Sequence, residues 1–78
     1  MNEYNENGEK HGPWETCYPN GNLCYKGNYI DGKRYGLYED YYSNGNLSFK
    51  GNYINGELHG LYERHSNSGK LYLKQYVL

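Results

Sequence analysis

Apolar and polar positions along this chain repeat at an interval of 24 residues. Sliding the sequence on itself by that offset lays residues 18–41 (YPNGNLCYKGNYIDGKRYGLYEDY) over 42–65 (YSNGNLSFKGNYINGELHGLYERH) without a gap, and fifteen of the twenty-four positions are identical. The register runs on in both directions. Gly12, Gly36 and Gly60 align, as do Trp14, Tyr38 and Tyr62, then Glu15, Glu39 and Glu63, then Gly21, Gly45 and Gly69, then Leu23, Leu47 and Leu71, then Lys26, Lys50 and Lys74. The chain therefore reads as a repeat domain over residues 8–78, with three copies near 12–35, 36–59 and 60–78, preceded by a flexible N-terminus at 1–7.

Each copy predicts a β-hairpin, because Asn20-Gly21 and Asn44-Gly45 are two-residue type I′ turn signals between extended aromatic segments, with Ser68-Gly69 a weaker version. With Asn44 and Gly45 as the loop, Tyr42 faces Leu47, Asp40 faces Phe49, Glu39 faces Lys50 and Tyr38 faces Gly51. The same arithmetic sets Glu15 on Lys26 and Glu63 on Lys74, an opposite-charge pair in every hairpin. It sets Trp14 on Gly27, where a glycine lets the ring lie across the backbone, and Tyr62 on Gln75. Turns at 29–36 and 53–60 join the hairpins.

The expected fold is all-β: a single-layer antiparallel meander of about six strands near 13–18, 23–30, 36–42, 47–54, 60–66 and 70–77. One face would carry Trp14, Tyr18, Leu23, Tyr25, Tyr29, Tyr38, Tyr42, Leu47, Phe49, Tyr53, Tyr62, Leu71, Leu73 and Val77. The other would carry the Glu–Lys pairs with Tyr41, Asn28, Asn52, Ile30 and Ile54. No helix is predicted to cover the aromatic face, so curvature, rings lying flat or a second molecule must bury it.

Composition sharpens this picture. Twelve Tyr, eleven Gly and eleven Asn, with no Ala, disfavour helix and suit strands and tight turns. Eight Lys/Arg against nine Asp/Glu leave a net charge of −1 with no block of one sign, which removes the field that a nucleic-acid binder needs. No apolar run approaches the roughly 18 residues of a membrane span, and MNEYNENGEK lacks the basic and apolar regions of a signal peptide. The expected location is the cytoplasm, that of the host if the source is viral.

The pattern G-L-Y-E-x-Y-x-x-N-G-N-L-x-x-K-G-x-Y-x-x-G-x-x-x-G resembles the MORN repeat (membrane occupation and recognition nexus), in its bacterial and viral variant, over residues 8–78. The resemblance implies an elongated sheet of hairpins serving as a scaffold or docking surface, and one variant group is antitoxin-like or immunity-like. Gln75, where the pattern has glycine, and the incomplete unit before Gly8 depart from it.

Candidate chemistry is sparse. Cys17 and Cys24 are placed face to face across the first hairpin, where a disulfide or a metal half-site is conceivable, but Tyr41/Ser48 and His65/Tyr72 fill the same slot in the other copies, which favours plain thiols. His11 and His59 sit in turns, and His65 has no second ligand at a metal-binding interval, so no metal and no cofactor are expected. Each Glu of the Glu15, Glu39, Glu63 row has its own Lys, which reads as a solvated ladder rather than acid–base machinery. No serine lies in a G-x-S-x-G elbow and no glycine turn carries G-K-[ST], so an enzyme is not expected.

What remains is surface. Tyr offers large contact area at low entropy cost, so partner-binding residues are sought among Tyr35, Tyr41, Tyr72, Tyr76, His65 and Arg64, with Trp14, Tyr38 and Tyr62 mainly structural. The terminal strand, with Leu71, Leu73, Gln75, Val77 and Leu78, is expected to be an edge that pairs with its counterpart in a homodimer or with a partner protein. The function expected is a non-catalytic protein-binding module, a small intracellular inhibitor that masks a toxin, nuclease or defence protein. A membrane or phosphoinositide surface binder, or scaffold, is the first alternative, and a carbohydrate platform of stacking aromatics is the second. Nucleic acid is not an expected partner.

Overall fold

The structure is a computed structural model describing residues 2–77. Eight strands make one antiparallel sheet: β1 (Glu3–Tyr4), β2 (Lys10–Cys17), β3 (Leu23–Ile30), β4 (Lys33–Arg34), β5 (Gly36–Tyr41), β6 (Leu47–Ile54), β7 (Glu57–His65) and β8 (Leu71–Val77). Their order is β1-β2-β3-β5-β6-β7-β8, with β4 paired to β3. The sheet measures 40 × 36 × 11 Å, one layer thick, since a second sheet would add about 10 Å. The all-β meander of hairpins expected from the repeat is the fold observed. Two short strands join the six expected: β4 leads into β5, and β1 comes from the segment placed ahead of the repeat domain. Leu78, expected on the edge strand, lies outside the described residues.

The turns are distributed differently from the expectation. Asn20-Gly21 and Asn44-Gly45 are not type I′, because only the glycines have positive φ, at 90° and 92°. Each belongs to a three-residue loop: the Gly45 N–H donates to the Tyr42 carbonyl at 2.9 Å and the Tyr42 N–H to the Asn46 carbonyl at 2.8 Å, a type I turn closed by a left-handed glycine. The extra loop residue forces a bulge in each hairpin. Asp40↔Phe49, Glu39↔Lys50 and Tyr38↔Gly51 pair as expected, but beyond the bulge Tyr41, not Tyr42, meets Leu47. The type I′ turns are Asp31-Gly32 and Asn55-Gly56, with φ of 50° and 84°, and 53° and 82°, closed by Ile30↔Lys33 and Ile54↔Glu57.

A one-layer sheet has to build its core sideways. Four side chains are buried, Trp14, Tyr29, Tyr38 and Phe49, all on the face expected to be aromatic. Their rings contact edge-on, tilted or stacked in two chains, Tyr4–Trp14–Tyr29 and Tyr25–Tyr38–Phe49–Tyr62, with Tyr53 against Tyr38 and Phe49. Such pairs contribute about 0.5–1.5 kcal/mol each beyond the area they bury. Three cations close the face over these rings. Lys10 Nζ lies 4.9 Å from the Trp14 ring, the Arg34 guanidinium 4.3 Å from Tyr38, and that of Arg64 5.0 Å from Phe49. Lys10 and Arg34 occupy one repeat position, which 24 residues further on is Leu58.

A ring from the next hairpin lies over Gly27, while the space at Gly51 is closed by Leu58 and the Tyr62 Cβ of β7 together with the Phe49 ring of its own strand. A Cβ at Gly27 would stand 2.5 Å from Cδ2 of Tyr38, on the next hairpin, and one at Gly51 would stand 3.1 Å from Cβ of Tyr62 and 2.9 Å from Leu58. At the aligned position the space is filled by Gln75, whose Oε1 accepts the Tyr62 hydroxyl at 2.8 Å. The loops are stitched in the same direction. Asn20 and Asn22 donate to the Ser43 carbonyl at 2.7 and 2.9 Å, Asn44 and Asn46 to the Asn67 carbonyl at 2.6 and 2.9 Å, and the Tyr18 and Tyr42 hydroxyls to the Tyr41 and His65 carbonyls at 2.6 and 2.8 Å. In the third copy Ser66, Ser68 and Lys70 replace those donors.

Gly27→Ala should therefore destabilise the sheet by about 1–3 kcal/mol, as overpacking does, because Tyr38 is held by rings on three sides. Gln75→Ala, at the same repeat position, should change stability by no more than about 0.5 kcal/mol. Urea unfolding of both variants checks the contrast.

Candidate binding surface

The face opposite the aromatic rings is open along its whole extent. Across it runs a row in which every member pairs in register with the next: Glu15↔Lys26, Lys26↔Glu39, Glu39↔Lys50, Lys50↔Glu63 and Glu63↔Lys74. The pairs expected within hairpins are thus links in one strip of alternating sign. Among the described residues only Lys74 and Glu63 close to an ion pair between a lysine or arginine and a carboxylate, at 3.8 Å. The strip attracts neither sign at long range, because each charge is offset by its neighbours.

Beside it lies an apolar row. Ile30, Leu37, Ile54 and Leu61 are exposed, as are Tyr35 and Tyr76. Register places Leu37 opposite Asn52 and Leu61 opposite Tyr76, and Pro13, at the position of Leu37 and Leu61, opposite Asn28. Pro13, Glu15, Lys26, Asn28, Leu37 and Glu39 line a shallow depression of about 280 Å³, and Ile30, Lys33, Tyr35 and Ile54 line another of about 130 Å³. Leu37 and Leu61 were not among the residues singled out from the sequence. The signal was available, since they follow the repeated glycines Gly36 and Gly60 and share the strand face of Glu39 and Glu63.

The six expected partner-binding residues do not form one group. Tyr35 and Tyr76 are on the open face and exposed. Tyr41 and His65 share that face but are only partly accessible and engaged: the Tyr41 hydroxyl donates to Glu39 Oε1 at 3.1 Å, and His65 Nε2 lies 3.1 Å from Glu63 Oε1. Partial burial and then the Glu39 carboxylate push the Tyr41 phenol up, so it stays a neutral donor. Tyr72 is the extra residue of the last bulge and is exposed. Arg64 is on the other face, its guanidinium spread over Phe49. The edge-strand residues Leu71, Leu73, Gln75 and Val77 all lie on β8, the last strand of the sheet.

Cys17 and Cys24 are not opposed as expected: the bulge sets Cys17 against Leu23, leaving Cys24 unpaired in the ladder, and both are free thiols. Among the described residues no three His, Cys, Asp or Glu side chains converge to hold a metal ion. The buried aromatic rings are packed against one another beneath Lys10, Arg34 and Arg64.

The Glu63 carboxyl is held below its ordinary value, chiefly by the hydrogen bond from His65 and then by Lys74. A carboxyl depressed in the folded state adds stability above its unfolded value, near 4.3, and loses it as pH falls through the folded one. Wild type should therefore resist urea better than Glu63→Gln at pH 6, and the gap should close as pH falls below about 4. Paired urea titrations across that range check it.

The MORN repeat variant matches residues 10–31 and again 34–55, one complete hairpin unit each time. No curated protein and no solved structure matches the chain. The two matched units are those whose loops donate to a following copy, and the unmatched third is the one that has lost its donors. Repeats of this kind form binding or scaffold surfaces and are generally non-catalytic. With the repeat unit matched twice in tandem over more than half of its length, the chain belongs to the MORN repeat family.

Proposed function

We propose that this protein binds another protein through the open face of its sheet and masks it, acting as a small intracellular inhibitor of a toxin, nuclease or defence protein. The observation that carries the binding surface is the set Ile30, Leu37, Ile54 and Leu61 with Tyr35 and Tyr76, all exposed, on the face that carries the strip of alternating charge. Apolar and aromatic anchors ringed by paired polar groups are the anatomy of a protein interface, where a few such residues supply most of the affinity. The balanced Glu–Lys strip favours a protein partner over an anionic membrane, which would select a basic patch. The antitoxin-like character comes from the resemblance of the repeat.

Tyr35 and Tyr76 are the partner-facing members of the set chosen from sequence. Tyr41 and His65 set the positions of Glu39 and Glu63, and Arg64 serves the other face. The test is affinity capture from the native host, followed by purification of the captured protein and assay of its activity with and without this chain. Wild type should form a stoichiometric complex and suppress that activity, and Leu37→Glu combined with Leu61→Glu should weaken binding by at least about 2 kcal/mol, roughly 30-fold. A captured protein whose activity is unchanged would overturn the inhibitor reading, and equal binding by the double variant would remove the open face as the surface.

A further inference from the structure

The two edges of the sheet are finished differently. At the first, β1 lies along β2, and Asn2 extends that pairing with its side chain. Asn2 Nδ2 donates to the Glu15 carbonyl at 2.7 Å, its Oδ1 accepts the Glu15 N–H at 2.8 Å, and its own N–H donates to the Pro13 carbonyl at 2.9 Å. Trp14 Nε1 adds a bond to the Glu3 carbonyl at 3.1 Å. The outer backbone of β2 is thereby covered. At the other edge, no described residue pairs with the outer side of β8.

The repeat tells which backbone groups of β8 point outward. Tyr76 aligns with Asn28, whose carbonyl accepts the Tyr35 N–H at 2.9 Å on the side away from β2. Tyr76 and Lys74, two residues apart, therefore direct N–H and C=O away from β7. Another repeat of the same kind does not fit there. Its ring would fall where Gln75 carries a side chain, and Ser66, Ser68 and Lys70 offer none of the Tyr and Asn donors that join the earlier copies.

We propose that the outer side of β8 pairs antiparallel with β8 of a second copy of this chain, about a two-fold axis through Gln75. In that register Lys74 of each copy faces Tyr76 of the other, both pairs having backbone groups directed outward, so that each exchanges two N–H···O bonds. The ammonium of Lys74 meets an exposed phenol on the open face. Leu73 faces Val77 twice on the aromatic face, where both are half-buried. Gln75 faces Gln75. Its Oε1 is taken by Tyr62, which leaves the amide nitrogen to donate across the axis. The neighbouring in-phase registers fit less well. An axis at Lys74 opposes two lysines, and an axis at Tyr76 opposes Gln75 to Val77. The pairing runs two sheets into one with both open faces on the same side, so it stands independently of what those faces bind.

Sedimentation equilibrium on the full chain should show reversible assembly to twice its 9.2 kDa as concentration rises. Tyr76→Pro removes an outward N–H that the ladder with β7 does not use, and it should abolish the dimer while leaving the far-ultraviolet circular dichroism unchanged. In a background with Cys17→Ser and Cys24→Ser, Gln75→Cys should form an intermolecular disulfide on mild oxidation. Opposed residues of a non-hydrogen-bonded pair lie about 4.5 Å apart at Cα, within disulfide range. Lys74→Cys and Tyr76→Cys, each facing an unlike residue, should not cross-link. A monomer at every concentration, a dimer that survives Tyr76→Pro with its fold intact, or equal cross-linking by the three cysteine variants would each overturn the proposal.

Discussion

Everything in this structure depends on having one layer. A sheet 11 Å thick has no second sheet or helix to receive its apolar side chains, so rings must lie sideways over the backbone of the neighbouring strand. That is possible only where the neighbour has no Cβ. Tyr38 lies over Gly27 in this way, and Leu58, the Phe49 ring and the Tyr62 Cβ close on Gly51; both glycines are strand residues with ordinary φ. They are required by contact and not by turn geometry, in contrast to Gly21 and Gly45, whose positive φ closes a loop. Cations then complete on one side what a second layer would otherwise do, with Lys10, Arg34 and Arg64 laid over ring faces.

This arrangement divides labour between the faces. Rings and cations are used up on one side in holding copies together, which is why the aromatic richness of the sequence does not translate into an aromatic binding track. The opposite side has no structural task beyond its charge strip, and its exposed Ile, Leu and Tyr are free for contact. Because the copies repeat across the strands, the same feature recurs at each step: Leu37 and Leu61 share a row, as do Glu39 and Glu63. An extended, sign-balanced surface with regularly spaced apolar positions is what the proposed protein partner would meet.

The fold was legible because the 24-residue repeat is nearly ungapped and its pairing is self-consistent. Glu39↔Lys50 and Tyr38↔Gly51 follow from the sequence and occur in the structure. The same arithmetic fails beyond Asp40. Asn44-Gly45 has the composition of a two-residue turn, yet it closes a three-residue loop in which Asn44 Oδ1 accepts the Asn46 N–H at 2.9 Å, and the bulge that results shifts Tyr41 onto Leu47 and separates Cys17 from Cys24. Asn-Gly marks both geometries, and only the closing hydrogen bonds tell them apart. The binding face was less legible. Tyr41 and His65 look free in the sequence, and their engagement by Glu39 and Glu63 appears only when strand faces are assigned. Arg64 was separated from them for the same reason, since neighbours in sequence along a strand point to opposite faces.

The third copy carries the last part of the argument. Its departures from the repeat look like decay when taken singly: Ser66 for Tyr, Ser68 and Lys70 for Asn, Gln75 for Gly. In the structure all four sit where earlier copies reach toward a successor, by hydroxyl, by amide or by a bare Cα that admits a ring. The bonds arriving from the preceding copy are still made, because they end on backbone carbonyls, Asn67 receiving Asn44 and Asn46 and His65 receiving Tyr42, although neither side chain is the one its position has in the second copy. On the outward side Gln75 fills the space that Gly27 and Gly51 leave open, and holds the Tyr62 hydroxyl. The outer side of the third copy thus offers neither the Tyr and Asn donors nor the bare Cα by which the earlier copies are joined.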